Sequence, residues 1–168
     1  PSYTFKTGGT KTVKISGPVT GIKCTASAYP IFGQSVGNNP WLTHVEASDA
    51  MEISEIGDYL FRGCSALQSI TDVPSVVSVG EYSFADTGIT DVTGLSNVAS
   101  IEQYAFAGCS SLTSLYGFDS VTTIGERAFN GCSSLKRIDG LGTTIATIGE
   151  YAFEHCEALQ TITIGSGL

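Results

Sequence analysis

Apolar residues recur along this chain at a spacing that suits neither a long helix nor a long strand. One apolar residue stands at every third position from Leu67 to Val79, from Ile89 to Ile101 and from Leu112 to Ile124. A strand presents one face at every second residue, and a helix at about every 3.6 residues. A spacing of three predicts a backbone that coils through repeated turns, so that each short segment directs one apolar side chain to a central axis.

An aromatic segment occurs five times and sets a longer period. Each copy begins with Ile or Val and ends in phenylalanine. Consecutive anchors are 23, 22, 23 and 24 residues apart: Phe61, Phe84, Phe106, Phe129 and Phe153. Units of this size stack into solenoids, because one unit alone leaves a face unburied. We therefore expect stacked coils with the five phenylalanines on a shared inner axis.

Each unit divides into an expected helical turn and an expected strand. In most units a glycine opens the aromatic segment and an acid follows it, which favours a helix N-terminus through the helix dipole. Gly63, Gly108 and Gly131 then follow the anchor, as left-handed C-caps do. Residues 67–71, 112–116 and 135–139 are the expected strands, which would stack about 4.8 Å apart in a parallel sheet.

The units resemble the BspA-like leucine-rich repeats of bacterial surface proteins. That family's unit runs approximately I-G-x-x-A-F-x-x-C-x-x-L-x-x-I, and residues 101–115, 124–138 and 148–162 match it closely. One departure is that the family commonly continues the strand into I-P, whereas Gly117 and Gly140, like Gly94, stand at that place here. The resemblance implies a secreted or surface-anchored protein that binds host or microbial partners.

The expected fold class is an α/β repeat solenoid: a right-handed leucine-rich-repeat coil with short parallel strands on one face and short helical turns on the other. Residues 41–168 would hold a partial unit, which begins with a strand-like match at residues 41–45, and five full units of 22–24 residues. Because an open solenoid end exposes core, a cap is needed. Residues 1–40 supply it, with a β-hairpin predicted around Gly8-Gly9; the alternative is the tail of a separate upstream domain.

Composition and charge narrow the function classes. Apolar residues make up 42% of the 168 residues, which excludes a disordered chain. All 16 carboxylates lie between Glu46 and Glu157, so the body is acidic and repels phosphate, and no nucleic-acid partner is expected. No apolar run reaches 18 residues, so no membrane insertion is expected. The abrupt ends favour a piece of a longer chain.

The cysteines point to packing rather than to a metal site. Cys24 stands apart, and the other four recur once per unit at one place: Cys64, Cys109, Cys132 and Cys156. Structural metal sites use pairs of cysteine or histidine ligands roughly two to four residues apart. The cysteines form no such pair, so no bound metal is expected. We expect a column of buried thiols with S–H groups aimed at backbone carbonyls. Disulfides between stacked coils are the alternative, although an odd count leaves one thiol over.

No catalytic constellation stands out, and the chain is not expected to be an enzyme or to carry a cofactor. His155 adjoins Cys156, but neighbouring side chains diverge on a turn. Nucleophile-elbow, zinc-protease, phosphate-loop and EF-hand motifs are all missing from the sequence.

A row of tyrosines stands two residues before the anchors. The row is Tyr59, Tyr82, Tyr104 and Tyr151, with Arg127 in the fourth place. It is either an aromatic strip for glycans or proteins, or a set of half-buried rings that cover the core with their hydroxyls in water. We favour the second interpretation.

The strand positions between inward apolar residues are the predicted ligand-binding surface. They vary in chemistry while the framework repeats: Ser69, Thr71, Asp91, Thr93, Ser114, Tyr116, Arg137, Asp139, Thr161 and Thr163. Tyr116 and Arg137 are expected near each other, and both residue types anchor interfaces. The predicted function is a noncatalytic extracellular binding or adhesion module that recognises a protein or glycan. The alternative is a structural spacer on a cell surface or virion.

Overall fold

The computed structural model describes residues 11–15, 42–47, 54–71, 73 and 75–164. In this part the chain forms a parallel β-solenoid, and a single 3-10 turn, Thr93–Leu95, is its helical element. The described strands are β1 (Lys11–Ile15), β2 (Leu42–Ala47), β3 (Glu55–Ile56), β4 (Ser69–Thr71), β5 (Ser78–Val79), β6 (Ser100–Ile101), β7 (Ser114–Leu115), β8 (Thr123–Ile124), β9 (Arg137–Leu141), β10 (Thr147–Ile148) and β11 (Thr161–Ile164).

The five anchor phenylalanines form one column along the solenoid. Successive ring centroids lie 5.2, 5.1, 5.2 and 5.4 Å apart, and the last three pairs of rings are within 5° of parallel. Phe61, Phe84, Phe106 and Phe129 are fully buried, and Phe153 in the last coil is half-buried. The predicted shared axis is therefore confirmed: each period of 22–24 residues is one coil stacked on the previous one.

The strands stack into three parallel sheets. Sheet A has the order β1-β2-β4, sheet B the order β10-β8-β6-β5-β3, and sheet C the order β11-β9-β7. Sheets A and C confirm the strands expected after each aromatic segment. Sheet B was not predicted, because its residues were assigned to the opening of the helical turns. Its inward column, from Ile56 to Ile124, supplies one core side chain per coil.

The predicted helical turns are wrong, so the solenoid is not an α/β fold. In the first coil the amides of Leu60 and Arg62 donate three residues back, to Gly57 and Tyr59. The alternate amides instead donate to the next coil, as the Phe61 N–H does to the Ser83 carbonyl at 2.7 Å. A helix directs all of its interior amides back along its own axis. Here half of the amides join neighbouring coils, so the segment is a series of tight turns.

This alternation requires left-handed backbone at a bulky residue in each turn. Tyr59, Tyr82, Tyr104, Arg127 and Tyr151 have φ between 52° and 57°. Such a conformation is unfavourable for a residue with a Cβ. The regular contacts between coils hold this conformation in place. Two residues after the anchor phenylalanine the backbone is left-handed again, as was expected of Gly63, Gly108 and Gly131.

The strand side of the solenoid is interrupted after the second coil. That coil is one residue shorter than its neighbours between its phenylalanine and the next apolar residue. Asp91 forms a single bridge to Ser69 of sheet A, and the chain then enters the 3-10 turn. Within the described ranges, no strand pairing joins this coil to Ser114 of sheet C.

The N-terminal strand extends the stack. β1 pairs with β2 in parallel, with Val13 opposite Val45, so it continues sheet A beyond the first coil. The other strand of the predicted hairpin, residues 3–5, lies outside the described residues. Across the described ranges, no helix has the length and apolar character needed to cross a bilayer.

Candidate functional site

The outward residues of sheets A and C, together with residues 91–93, form what we call the strand face. Within β4 and β9 the inward residues Ile70 and Ile138 are buried, while their neighbours reach the surface. Every residue of the predicted binding surface lies here. Six of them are exposed and the rest are half-buried; the exposed six are Asp91, Thr93, Tyr116, Arg137, Thr161 and Thr163.

His44 organises the first cluster on this face. Its Nδ1 lies 2.7 Å from the Ser69 hydroxyl, and its Nε2 lies 3.2 Å from the Thr71 hydroxyl. No role was predicted for His44 from the sequence. The repeat alignment contains the missing signal, because Leu42 and Val45 match Leu67 and Ile70, which places His44 beside Ser69.

Among the described side chains, no acid contacts the second imidazole nitrogen of this serine–histidine pair. A triad needs an acid on the second imidazole nitrogen, which fixes the tautomer and stabilises the charged ring. In this site the second nitrogen faces the Thr71 hydroxyl. The described contacts of the cluster are hydrogen bonds between hydroxyl and imidazole groups.

Asp91 and Thr93 form a second, local cluster. The Asp91 carboxylate accepts hydrogen bonds from the Thr93 amide at 2.8 Å and from the Thr93 hydroxyl at 3.0 Å. These contacts hold the chain where it leaves the strand and enters the 3-10 turn. One carboxylate is thus fixed at the interruption between sheets A and C.

The third cluster lies on sheet C and combines an ion pair with hydroxyl groups. Arg137 Nε lies 2.6 Å from Asp139 Oδ2, and the Thr163 hydroxyl donates to Asp139 Oδ1 at 3.1 Å. Tyr116 is 45% exposed. Tyr116 follows the end of β7, whose Ser114 pairs with Arg137 of β9, and the arginine side chain is paired with Asp139 instead of stacked on the tyrosine ring.

The tyrosine row is a closed stack rather than an open aromatic strip. Ring centroids of Tyr59 and Tyr82 lie 5.2 Å apart, and those of Tyr82 and Tyr104 lie 4.6 Å apart. Arg127 continues the stack, with its guanidinium 5.8 Å from the Tyr104 ring and 4.6 Å from the Tyr151 ring. Burial, followed by the neighbouring Glu81, raises the pKa of Tyr59. From Tyr59 to Tyr104 the ring faces contact neighbouring side chains, which supports the structural interpretation of this part of the row.

The column of thiols packs as expected, with free cysteines in the described coils. Cys109, Cys132 and Cys156 donate to the Phe84, Phe106 and Phe129 carbonyls of the preceding coil at 3.1–3.3 Å. Burial raises the pKa of Cys109 to about 12. A hydrogen bond between Cys132 and Cys156 raises the pKa of the first thiol and lowers that of the second. Cys24 lies outside the described residues.

A polar groove of about 240 Å³ lies at sheet B. Its lining includes Glu55, Asp58 and Glu102, together with Gly57 and Gly80. The Glu81 amide donates to Asp58 Oδ1 at 2.8 Å. Over the described ranges, no three His, Cys, Asp or Glu side chains are grouped so that they could hold a metal ion.

Solved structures of bacterial repeat proteins share this fold. A leucine-rich cell surface protein from Faecalibacterium prausnitzii is 26% identical with a TM-score of 0.60, over 93% of this chain and 50% of that one. A leucine-rich repeat protein from Bacteroides ovatus is 24% identical with a TM-score of 0.63, over 76% of this chain and 33% of that one. The chain thus spans half or less of the length of these proteins.

A family model accounts for most of the solenoid. No curated protein matches the chain. The model of the BspA-type leucine-rich repeat region matches residues 37–160 with six copies, which includes the coil built around β2 as well as the five aromatic units. The chain belongs to the BspA-type leucine-rich repeat family.

Proposed function

We propose that the chain is a noncatalytic binding module that recognises a protein or glycan through its strand face. The observation that carries this proposal is the contrast between the two sides of each strand. Inward positions repeat the same apolar residues, whereas outward positions carry imidazole, hydroxyl, carboxylate, guanidinium and phenol groups. A constant scaffold with variable decoration is how repeat proteins build extended binding surfaces.

The three clusters on the strand face also hold their side chains in place before any ligand binds. His44, Asp91 and Asp139 each hold neighbouring hydroxyl or guanidinium groups at hydrogen-bond distance. Side chains already ordered in the free protein lose less conformational entropy when a ligand binds. We therefore place the binding residues in these clusters, with adhesion of a bacterial cell as the biological role.

The same proposal includes an extracellular position, which membership of the family supports. The Faecalibacterium prausnitzii neighbour is named a cell surface protein, and it is the solved neighbour above with the higher sequence identity. The buried Cys109 and Cys132 thiols fit such a location, because their raised pKa keeps them protonated and a protonated, shielded thiol reacts slowly with oxidants.

A structural spacer is the second candidate function. The unbroken phenylalanine column supports it, because rings stacked at 5.1–5.4 Å through all five coils give the solenoid a continuous core. A rod of this kind could hold another domain at a fixed distance from a surface without binding any ligand itself.

A binding screen separates the two candidates. The folded protein is presented to a glycan array and to immobilised extracellular proteins, and each ligand found is remeasured with two variants. Y116A/R137A alters the strand face, while V77A trims a side chain that is 48% exposed beside sheet B. We expect the first variant alone to weaken binding. Equal affinities for both variants contradict a strand-face site, and a folded protein that binds nothing in either screen supports the spacer.

A further inference from the structure

Six outward side chains of sheet C form a regular grid, which we call the sheet C grid. It consists of Ser114, Tyr116, Arg137, Asp139, Thr161 and Thr163. Ser114 pairs with Arg137 and Arg137 with Thr161, while Asp139 pairs with Thr163. Gly140 lies next to Gly117, because a Cβ placed on Gly140 would be 3.6 Å from the Gly117 nitrogen. The alignment of the two chain segments therefore continues for two residues past the end of β7. Tyr116 therefore stands beside Asp139.

Tyr116 differs from the tyrosines of the stacked row. Those rings contact one another or an arginine, whereas Tyr116 has no ring, cation or hydrogen-bond contact with any described residue. It is 45% exposed. The face of an aromatic ring carries partial negative charge and attracts polarised C–H groups. This ring is thus available for stacking.

The ion pair beside Tyr116 can both donate and accept hydrogen bonds. Arg137 Nε contacts Asp139 Oδ2 at 2.6 Å, which leaves most of the five guanidinium N–H donors unused. The arginine side chain is 57% exposed and the aspartate side chain 24% exposed. The charges of the pair cancel, and the Thr163 hydroxyl extends the polar edge. Such an edge suits a neutral ligand with several hydroxyl groups.

Two glycines follow the grid residues Tyr116 and Asp139 in the chain. Gly117 follows Tyr116 with φ of 74°, and Gly140 follows Asp139 with φ of 81°. In this left-handed conformation glycine is the least strained residue. A Cβ on Gly117 would lie 3.8 Å from the Ser96 Cβ, and a Cβ on Gly140 would lie 3.4 Å from the Asp119 carboxylate, so the glycines allow neighbouring parts of the chain to pack closely beside the grid.

We propose that the sheet C grid is a subsite for one neutral pyranose ring of a glycan. The C–H face of the sugar stacks on Tyr116, and adjacent sugar hydroxyls hydrogen-bond to Asp139 and Arg137. This inference rests on the proposed strand-face function and names its ligand class.

Protein and anionic ligands fit this grid less well. Protein interfaces centre on several apolar or aromatic anchors that become buried together, and the grid offers a single aromatic ring among hydroxyls. Anionic sugars need uncompensated positive charge, but Arg137 is neutralised by Asp139 and the chain carries a net charge of −8. A neutral sugar needs neither of these features.

The test uses linear neutral oligosaccharides of glucose, mannose and galactose as probes, with sialylated and sulfated oligosaccharides as the anionic arm. Dissociation constants are measured by calorimetry for the wild type, Y116A, Y116F and D139A. Y151G is the matched control, because it removes a tyrosine that is 53% exposed from the turn side, at a φ of 57° that glycine accepts. Circular dichroism verifies the fold of every variant.

We expect a neutral oligosaccharide to bind, with the Kd of Y116A and D139A raised at least about tenfold. Y116F and Y151G should bind like the wild type, because the first keeps the ring face and the second alters another side. Binding of anionic probes alone overturns the inference. So does a strand-face protein ligand without any glycan binding, although that result leaves the proposed function intact. A folded protein that binds neither glycans nor proteins overturns both.

Discussion

Two buried hydroxyl groups in the second coil illustrate how much a single residue depends on its partners. The Thr87 hydroxyl donates to the Phe84 carbonyl at 2.8 Å and contacts Cys109 Sγ at 3.3 Å. The Ser83 hydroxyl, four residues earlier, is equally buried and has no hydrogen-bond partner among the described residues. A buried polar group without a partner opposes folding by the cost of its lost hydration.

We therefore predict that S83A stabilises the protein by about 1 kcal/mol. The reason is specific to this position, because the equivalent residues of the later coils are already alanine: Ala105, Ala128 and Ala152. The measurement is the free energy of unfolding in urea. T87V is the matched control and should lower that free energy, since it removes a hydroxyl whose bonds are made. If S83A destabilises the protein, the serine has a partner after all.

The positions of side chains were predictable where the repeat determines them. The inward thiols and the tyrosine row were both expected from alignment of the chain with itself, and both are confirmed. His44 was missed because its unit is incomplete and its neighbours are separated by an insertion. The ion pair of Arg137 with Asp139 was also missed, because outward side chains choose partners that periodicity does not determine.

At the scale of the element, the aromatic turn is the feature that sequence rules misassigned. An acid and a glycine near its start are ordinary helix signals, yet the alternate amides bond to the next coil. Local propensity favours the helix, whereas stacking favours turns that offer donors and acceptors to both neighbours. The choice depends on contacts about 23 residues away in sequence, which a local pattern cannot reveal.

The observed turn and a helix predict opposite orders of stability for glycine and alanine variants of Tyr151. Y151G should be more stable than Y151A by roughly 1 kcal/mol, because the position has φ of 57°, where a Cβ is unfavourable. In a helix the order would be reversed, since alanine exceeds glycine by about 1 kcal/mol. Thermal unfolding of both variants decides between the two structures. Tyr151 is the suitable site because it is 53% exposed and loses little packing in either variant.

The phenylalanine column predicts how much the free energy of unfolding falls when one ring is removed. F129A should lower the free energy of unfolding by about 3–5 kcal/mol, because the ring is fully buried between Phe106 and Phe153. F153A should cost less, since Phe153 is half-buried and stacks on one described ring. Chemical denaturation of both variants measures the difference. Equal losses would contradict the stacking order.

At the scale of the whole molecule, the buried thiols link stability to pH. Cys109 titrates near 9.0 in the unfolded chain but near 12 when folded. Below pH 9 both forms are protonated; above it the unfolded chain releases a proton that the folded protein retains. The free energy of unfolding therefore falls as pH rises from 9 to 12, by about 1.4 kcal/mol per pH unit for this thiol.

This pH dependence is checked by urea denaturation at about pH 8.0, 8.5, 9.0 and 9.5, where unfolded tyrosines remain mostly protonated because their pKa is about 10. C109S should show a shallower decline than the wild type. Serine suits the site because Thr87 places a hydroxyl at the equivalent position of the preceding coil. An identical decline in the two proteins would show that Cys109 does not carry the effect.

The interruption of the strand face after the second coil has a mechanical consequence. Each coil of a solenoid touches its immediate neighbours, so tension along the axis loads every junction in series. The junction between the second and third coils lacks strand pairing between Asp91 and Ser114, while the turn side and sheet B still connect them. We expect that rupture under stretching begins at this junction, and that the coils before and after it separate as two blocks.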